Sequence, residues 1–456
     1  MEVEKISEFL WKIKKTGAMN VDVNIFASEK LLEAMKTDST LKQAINMASM
    51  PGVLNPVVVL SDAHQGYGAC IGGVGAFDLE NGAISPGFVG YDIDCSVRLL
   101  KTNLKTEDIK NKKEILHSLF RAVPSGVGRG SNLKINYNQL DEVLKKGAEW
   151  AVENGYGIRE DLEHLEDGGR LTPCNPDDVS KRAKQRGIGQ LGTLGAGNHF
   201  LEIQRVEEIF DSETAKKFGL EKNQITIMVH CGSRGLGHQV ASDYIKLMED
   251  KYGWPEFDRE LVNAPIKSEL GKKYFSAMNC AANFAFANKQ IITHWVREQL
   301  NHYFKDIKID TVYEVCHNIA KFEKHVIDGK EKEVLVMRKG ATRAFPNQPV
   351  LIPGSMGTAS YVLVGTEKAM ELSFGSTAHG AGRVASRTSA RKSTRGEDVK
   401  KQLNNKGIDV EAGSWRGLSE EAPEMYKDID EVVRVSHEVG IGKLVAKLVP
   451  VAVMKG

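Results

Sequence analysis

The sequence lacks an excess of charge of either sign. Its 456 residues include 61 Lys and Arg against 60 Asp and Glu, so the formal net charge is +1. This balance excludes a chain-wide polyanion binder and an acidic tail protein. A nucleic-acid site must therefore come from local clusters of basic residues.

Cysteine and long apolar runs are also scarce. The six cysteines form no CxxC pair, which argues against a disulfide framework or a zinc knuckle. No apolar run reaches the roughly 20 residues that span a bilayer. The first segment, MEVEKISEFLWKIKK, has no apolar signal-peptide core. We therefore expect a cytoplasmic protein with no membrane partner.

Glycine, in contrast, is abundant, with 44 residues against 13 prolines. Glycine is favoured where a backbone turns tightly or approaches a ligand closely. We expect the glycine-rich loops to gather around one site. They lie at 66–77, 126–130, 187–200, 231–237, 353–357 and 375–383.

Short apolar runs alternate with helix-like stretches, which predicts an α+β fold with β-sheets and surrounding helices. No linker divides the chain, so we expect a single large domain over residues 1–456. Asn175 and Pro176 are typical of a helix start. The charged segment 395–428 is interpreted as a surface excursion. The predicted strands are 56–64, 224–235, 311–318, 331–340 and 348–357, and the predicted helices are 104–120, 137–153, 238–252, 275–300 and 430–447.

Five polar residues beside strand ends or glycine turns could form a metal site. Thiolate, imidazole and carboxylate together suit a divalent ion such as Zn, Mn, Co or Fe. Each residue alone also has a structural interpretation, because a single buried Cys or His more often packs or hydrogen-bonds. The residues themselves leave both possibilities open. The five are Asp92, Cys95, His199, His230 and His317.

Basic residues form three clusters beside glycine-rich loops, a pattern that favours phosphate or nucleic-acid binding over a solvated face. On one helix, the arginines of the first cluster would form a single stripe. No P-loop is present, and aromatic residues do not interleave the clusters. The clusters are Arg383, Arg387, Arg391 and Arg395; Lys181, Arg182, Lys184 and Arg186; and Arg338, Lys339 and Arg343.

Two further histidines, His64 and His379, lie in similar glycine-flanked turns. The remaining histidines lie in helical or charged stretches and are interpreted as structural or solvent-facing. These are His117, His164, His238, His294, His302, His325 and His437.

Taken together, the motifs resemble those of the RtcB-type RNA ligases, a family of tRNA-splicing ligases. The resemblance covers residues 61–456, and it implies an RtcB-like fold with a central metal-containing cleft. The matching stretches are SDAHQGYG, GYDIDCSVRL, GTLGAGNHFLE, HCGSRGLG, CHN, RKGATRAF, PGSMGTASYV, HGAGRVASR and VAVMKG.

This resemblance implies a GTP- and Mn²⁺-dependent ligase that joins an RNA 2′,3′-cyclic phosphate or 3′-phosphate to a 5′-hydroxyl, in tRNA splicing or RNA repair. His379 would be the catalytic nucleophile that takes GMP from GTP. Cys95 would bridge two Mn²⁺ ions, with Asp92 and His317 on one ion and His199 and His230 on the other. Archease, which acts with some relatives, is a candidate partner.

The resemblance also implies which residues hold the nucleotide and the RNA. Asp62 and His64 would lie near the site. RNA phosphates would contact Arg186, Lys339 and Arg387. The implied GTP-binding residues are Asn198, His199, Glu202, His317, Asn318, Pro353, Gly354, Ser355, Met356, Ser360, His379, Gly380, Ala381, Gly382 and Lys455.

The chain departs from the common family pattern at Asp94 and Ser96 beside Cys95, at Cys231, and in the turn before His379. No implied ligand or nucleophile is changed. Two alternatives to the ligase stand beside it: a two-metal RNA phosphoesterase or cyclic phosphodiesterase, and an RNA-binding protein with a structural metal. Without the resemblance, the ligase and the phosphoesterase would fit the residues about equally well.

Overall fold

A computed structural model of the chain describes residues 2–126 and 128–456. Strands occur along the whole described chain, from near the N-terminus to Lys455. They are β1 Glu4–Lys5, β2 Leu10–Ile13, β3 Val23–Phe26, β4 Val57–His64, β5 Ile71–Phe77, β6 Ala83–Ile84, β7 Ser96–Lys105, β8 Phe200–Ile209, β9 Gln224–Cys231, β10 Ala264–Pro265, β11 Ile309–Cys316, β12 Asn318–Ile327, β13 Lys330–Lys339, β14 Ala341–Arg343, β15 Pro349–Ile352, β16 Ser360–Val364, β17 Ser376–Ala378, β18 Asp409–Ala412 and β19 Lys443–Lys455.

Helices alternate with these strands and surround the sheets. The longest, α10, starts at the N-cap Ser268, whose side chain accepts the backbone N–H of Gly271. The helices are α1 Glu29–Lys36, α2 Thr40–Ala48, α3 Pro86–Val89, α4 Lys112–Ala122, α5 Tyr137–Lys146, α6 Ala148–Glu153, α7 Lys181–Gly187, α8 Ser212–Phe218, α9 Arg234–Tyr252, α10 Glu269–Tyr303, α11 Glu367–Ser373, α12 Arg387–Ser393, α13 Gly396–Asn405, α14 Trp415–Glu420 and α15 Ile429–Val439.

Two large sheets organise the fold. One has the strand order β1-β2-β3-β4-β5-β13-β12, and the other has the order β11-β7-β9-β8-β19-β16-β15 with β18 paired to β19. Most neighbours are antiparallel; β3 with β4 and β18 with β19 are parallel. The expected α+β fold is confirmed.

Strand direction brings distant parts of the sequence to one edge of the second sheet. In an antiparallel pair the start of one strand lies beside the end of its neighbour. Ser96, at the start of β7, is therefore opposite both Cys231, at the end of β9, and Cys316, at the end of β11. Likewise Phe200, at the start of β8, is opposite His230 and Lys455.

A single residue connects the two sheets at this edge. β11 ends at Cys316 and β12 begins at Asn318, so His317 is the whole connection between them. The backbone N–H of His317 donates to Cys95 O at 3.0 Å, and its carbonyl accepts from the Ala341 N–H at 3.1 Å. In the first sheet, Asn318 pairs with Lys339, which ends β13. The chemistry-bearing ends of both sheets therefore meet around His317.

The largest apolar core contains buried side chains from Phe9 to Ile441, drawn from both sheets and from α10. This continuity supports one domain, while the exact extent 1–456 stays a prediction. The expected helix start at Asn175 is confirmed, since its side chain accepts the Asp177 N–H and Pro176 begins a short 3₁₀ turn.

Three expectations for local structure are corrected. The stretch 430–447 is not one helix: α15 ends before Gly440, which adopts a left-handed φ of 86°, and β19 begins at Lys443. The stretch 104–120 is strand β7 up to Lys105, a short 3₁₀ turn at Thr106–Asp108, and α-helical only from Lys112. The segment 395–428 is not a surface excursion, because α13, β18 and α14 bury an apolar cluster that includes Val399, Leu403 and Leu418.

Candidate functional site

A tight turn between α3 and β7 presents Asp92 and Cys95 to the meeting point of the sheets. The Cys95 N–H donates to Asp92 O at 3.0 Å, and Asp94 adopts a left-handed φ of 52°. Behind the turn, the buried Lys289 ammonium lies 3.5 Å from the Asp94 carboxylate and 3.2 Å from Glu314. These buried contacts fix the Asp94 side chain within the turn.

The five residues proposed as metal ligands converge as expected. The Cys95 Sγ lies 3.2 Å from Nε2 of His230 and 3.5 Å from Nε2 of His199. Nε2 of His230 is also 3.2 Å from Nε2 of His317, and Nε2 of His199 is 2.7 Å from an Asp92 carboxylate oxygen. The side chains come from positions 92 to 317 of the sequence, and only the fold brings them together.

The ligand atoms fall into two groups that share Cys95. One group is Cys95, His230 and His317, and the other is Asp92, Cys95 and His199. This division differs from the one implied by the resemblance, which joined Asp92 to His317 and His199 to His230. The ring directions decide the difference: Nε2 of His230 points to Nε2 of His317, whereas Nε2 of His199 points to the Asp92 carboxylate.

The donor set fits a divalent transition metal. Burial lowers the pKa of His230 and His317 well below its usual value, so both rings are neutral, the form that binds metal. Burial raises the pKa of the Cys95 thiol to about 12, so a metal must displace its proton. His199 is oriented by Leu194 O, 3.1 Å from its Nδ1, which directs Nε2 toward the cluster.

His379 lies beside this cluster, with its ring centroid 4.8 Å from that of His317. Its Nδ1 is 2.6 Å from an oxygen of Asp62, which also accepts the backbone N–H of His379 at 3.0 Å and of Gly380 at 3.3 Å. Burial by itself would raise the pKa of Asp62, but the charge and N–H groups of His379 lower it. In the neutral ring, the ionised Asp62 favours the tautomer with its proton on Nδ1, and that tautomer leaves the Nε2 lone pair for chemistry.

The ring of His379 fits in its place because its neighbour Gly340 has no side chain. A Cβ on Gly340 would lie 3.0 Å from Cε1 of His379 and 2.2 Å from a side-chain carbon of Ile71, and its φ is 57°. Only glycine suits this position. His64, at the end of β4, lies near Asp62, and burial lowers its pKa to about 4, so its ring is neutral.

A cavity of about 340 Å³ opens over His379 and the metal cluster. This volume lies within the range of small-molecule sites. Both sheets and several glycine-rich loops contribute to its wall, as the clumped glycines predict. The implied site residues that line it are Asp92, Asn198, His230, His317, Asn318, Lys339, Pro353, Gly354, Ser355, His379, Gly380, Ala381, Gly382, Arg387 and Lys455.

Glu202, Met356 and Ser360 do not line this cavity. Ser360 Oγ accepts the Gly354 N–H at 3.2 Å and so fixes the turn that does. Met356 packs in the apolar cluster with Val399. Burial raises the pKa of Glu202 to about 7 and lowers that of Lys455 to about 8. That Glu202, Met356 and Ser360 contact a nucleotide stays a prediction.

A second, larger concavity adjoins the cavity on the side of Asp92 and His199. This basic groove has a volume of about 920 Å³. Arg387 lines both the cavity and the groove. The groove lining comprises Asp92, Gly128, Arg186, Gln190, Ala196, Gly197, Asn198, His199, Arg234, Gly235, His238, Arg387, Ser414, Arg416, Gly417, Glu420 and Gly456.

The arginine stripe expected after His379 is corrected. The helix that carries it, α12, covers only Arg387–Ser393, and Arg395 is the N-cap of the next helix. Arg383 and Arg387 both pair with the buried Glu421, at 3.1 and 3.2 Å. These two side chains are thus held by one carboxylate at the site's edge and are not part of a free row.

The third basic cluster is also corrected, because most of it is internal. Arg338 is fully buried and pairs with Glu323 at 2.6 Å, and Arg343 pairs with Asp167 at 2.9 Å. Their neighbour Lys339 alone lines the cavity; it donates to the carbonyls of Tyr67 and Gly87, and burial lowers its pKa to about 8. Arg186 of the second cluster is exposed in the groove and donates to Gln239 at 2.9 Å.

Sequence reasoning missed two contributors to the site. Burial by itself would raise the pKa of Glu421, but Lys455, Arg387 and Arg383 hold it below its usual value, so a buried carboxylate balances the cations around the cavity. No motif marks Glu421 in advance. His238, interpreted as structural or solvent-facing, is indeed exposed, and its ring also lines the groove.

Comparison with known proteins gives a consistent result. The sequence profile of the family described as "tRNA-splicing ligase RtcB" matches residues 43–456. The chain is similar to the proteins named "tRNA-splicing ligase RtcB" of Thermococcus kodakarensis, with 52% identity over 100% of this chain and 99% of the relative, and of Nanoarchaeum equitans, with 53% identity over 100% of both. Among the described residues, no helix is both long and apolar enough to cross a membrane.

Proposed function

The chain belongs to the RtcB family of tRNA-splicing ligases and is therefore an RNA ligase. We propose that it joins RNA ends with GTP and Mn²⁺ through a covalent histidine–GMP intermediate. The joined ends are a 2′,3′-cyclic phosphate or 3′-phosphate and a 5′-hydroxyl. The RNA is a pair of tRNA halves or a damaged RNA.

The arrangement of His379 carries this proposal. Its Nδ1 is held by the ionised Asp62, and its ring lies beside the candidate metal ligand His317 in the wall of the cavity. A neutral imidazole oriented by a carboxylate is a competent nucleophile near pH 7.

Two Mn²⁺ ions would be held by the two groups that share Cys95, with His230 and His317 on one and Asp92 and His199 on the other. Bound there, the ions would neutralise phosphate charge during in-line displacement. The protein's own part is to exclude water and to hold the ligands, since the cysteine and the three histidines are buried.

GTP would occupy the cavity, with its α-phosphate near His379. Asn198, Asn318 and Ser355 offer polar groups on the wall, and Lys455 offers a cation. Gly380 has little steric bulk beside the nucleophile. RNA phosphates would contact Arg186 and Arg387 in the groove and Lys339 in the cavity wall.

The proposed reaction has four balanced steps. Water opens the cyclic phosphate to a 3′-phosphate. Nε2 of His379 attacks the α-phosphorus of GTP and pyrophosphate leaves. The RNA 3′-phosphate then attacks the phosphorus of the histidine–GMP adduct, which frees His379 and gives an RNA–ppG end. Finally the 5′-hydroxyl attacks the RNA phosphate, and GMP leaves as the phosphodiester forms.

The test is incubation with α-³²P-labelled GTP and Mn²⁺, followed by a denaturing gel. We expect an acid-labile label on the wild-type protein, none on His379→Ala, and a normal label on the matched control His302→Ala, a surface histidine. Acid lability identifies a phosphoramidate, the bond of a histidine–GMP adduct.

No label on a folded, metal-loaded protein would overturn the covalent mechanism unless archease restores it. Cleavage of a cyclic phosphate without label would then favour the two-metal phosphoesterase. RNA binding that persists in Cys95→Ala, with neither label nor cleavage in the wild type, would favour an RNA-binding protein with a structural metal.

A further inference from the structure

Three aromatic rings from separate parts of the chain lie in a row between the cavity and the basic groove, where Tyr91 and His238 are stacked and Tyr67 is tilted by 56° against Tyr91. The rings of Tyr67 and Tyr91 have centroids 5.2 Å apart, and the ring of Tyr91 is 4.7 Å from that of His238 with an interplanar angle of 24°. The two tyrosines line the cavity, and His238 lines the groove. The sequence shows no such platform, because its members are far apart along the chain.

The position of His238 exposes its ring to the groove. It lies one helical turn after Arg234 on α9, so both side chains are on the same face of the helix. His238 is exposed, whereas Tyr91 is half-buried beneath it. Tyr91 thus supports the ring of His238 from the protein side, and His238 is the exposed end of the row.

Cationic groups surround the open end. Arg186, Arg234, Arg387 and Arg416 line the same groove, with Asp92 and Glu420 as its acidic members. Guanidinium groups bind phosphates well, but they do not by themselves provide a flat surface for a base. Single-stranded RNA ends are recognised by such a combination of cations for the backbone and rings, including histidine, for the bases.

We propose that His238, supported by Tyr91, stacks against a nucleobase of the RNA strand next to the ligation junction. This inference rests on the proposed function, since it takes RNA as the occupant of the groove. The base belongs to the terminal nucleotide of either the 5′-hydroxyl strand or the 3′-phosphate strand, because both ends must reach the metal cluster that separates cavity from groove. The residue contributes binding and not chemistry.

The experiment compares RNA oligonucleotides that carry or lack the terminal base. Fluorescence anisotropy measures the affinity of the metal-loaded protein for a 5′-hydroxyl strand and a 3′-phosphate strand, each with a normal or an abasic terminal nucleotide. On one of the strands, loss of the base should weaken wild-type binding roughly 5- to 150-fold, the range of base–aromatic stacking.

His238→Ala should bind the normal and the abasic form of that strand with equal affinity. His238→Phe, which keeps a flat ring, should restore the preference for the base. The control Tyr252→Ala removes an exposed aromatic side chain that does not line the groove and should behave as the wild type. Thermal unfolding of each variant shows whether it is folded.

Two results would overturn the proposal: no effect of the terminal base on wild-type binding to either strand, or an equal effect in the wild type and in His238→Ala. RNA joining with GTP and Mn²⁺ is measured on the same samples. Wild-type protein that binds RNA in a base-dependent way but joins no ends, with or without archease, would refute the proposed ligase reaction while leaving the stacking site intact.

Discussion

The Asp62–His379 pair allows a quantitative test of how the nucleophile is prepared. One carboxylate oxygen of Asp62 accepts three N–H groups, from the ring of His379 and from the backbones of His379 and Gly380. Among the described residues, no hydrogen-bond donor reaches the other oxygen, which is buried. Asp62→Asn therefore tests both the charge and the hydrogen-bond directions at constant size.

Neither orientation of the new amide satisfies its surroundings. With its oxygen toward His379, the NH₂ group occupies the buried position that has no partner. With its NH₂ toward His379, it opposes two backbone N–H groups and forces the ring to carry its proton on Nε2, the atom that must attack. A hydrogen bond to a charged group contributes about 1.5–3 kcal/mol. At 1.36 kcal/mol per tenfold, the guanylylation rate should fall roughly 10- to 150-fold.

The assay is single-turnover formation of labelled protein from α-³²P GTP at saturating Mn²⁺. Ser61→Ala is the matched control: Ser61 precedes Asp62 on β4, and its side chain donates to Val432 O, away from His379. The metal content of both variants should equal that of the wild type. If Asp62→Asn and Ser61→Ala have equal guanylylation rates, the carboxylate does not orient His379 for attack, which refutes the proposed role of Asp62.

Three further predictions follow from the site. Cys95→Ala removes the ligand shared by both groups, so the bound metal measured by mass spectrometry should fall for both ions; retention of one full equivalent would contradict a shared ligand. Arg387→Ala should slow RNA joining about tenfold more than guanylylation, as expected for one lost charged contact; equal losses would assign Arg387 to the nucleotide. Burial lowers the pKa of Lys427 from 10.5 to about 8, so between these pH values the unfolded chain binds the additional proton. The free energy of unfolding of the wild type should therefore rise by about 3 kcal/mol relative to Lys427→Met across that window, and parallel denaturation curves of the two proteins would contradict this.

Local sequence patterns predicted much of the secondary structure because each depends on neighbouring residues. The apolar run before His64 is β4, and the stretch 275–300 lies within α10. Errors occurred where two elements adjoin without a polar break, as at α15 and β19, whose boundary depends on the left-handed Gly440. The segment 395–428 was misjudged because its apolar side chains are few and become buried only against other parts of the chain.

The sequence by itself determined the chemical groups of the site: its motifs identified the family, and its residue types named a thiolate, imidazoles and a carboxylate beside glycine-rich turns. Only the tertiary structure decided how those groups are combined. It joined His230 to His317 rather than to His199, buried Arg338 and Arg343, placed Glu421 against Arg387, and stacked His238 on Tyr91. The physical reason is that composition and spacing record short-range preferences. Contacts between residues that are distant along the chain depend on strand order, register and the direction in which each side chain leaves its strand or helix.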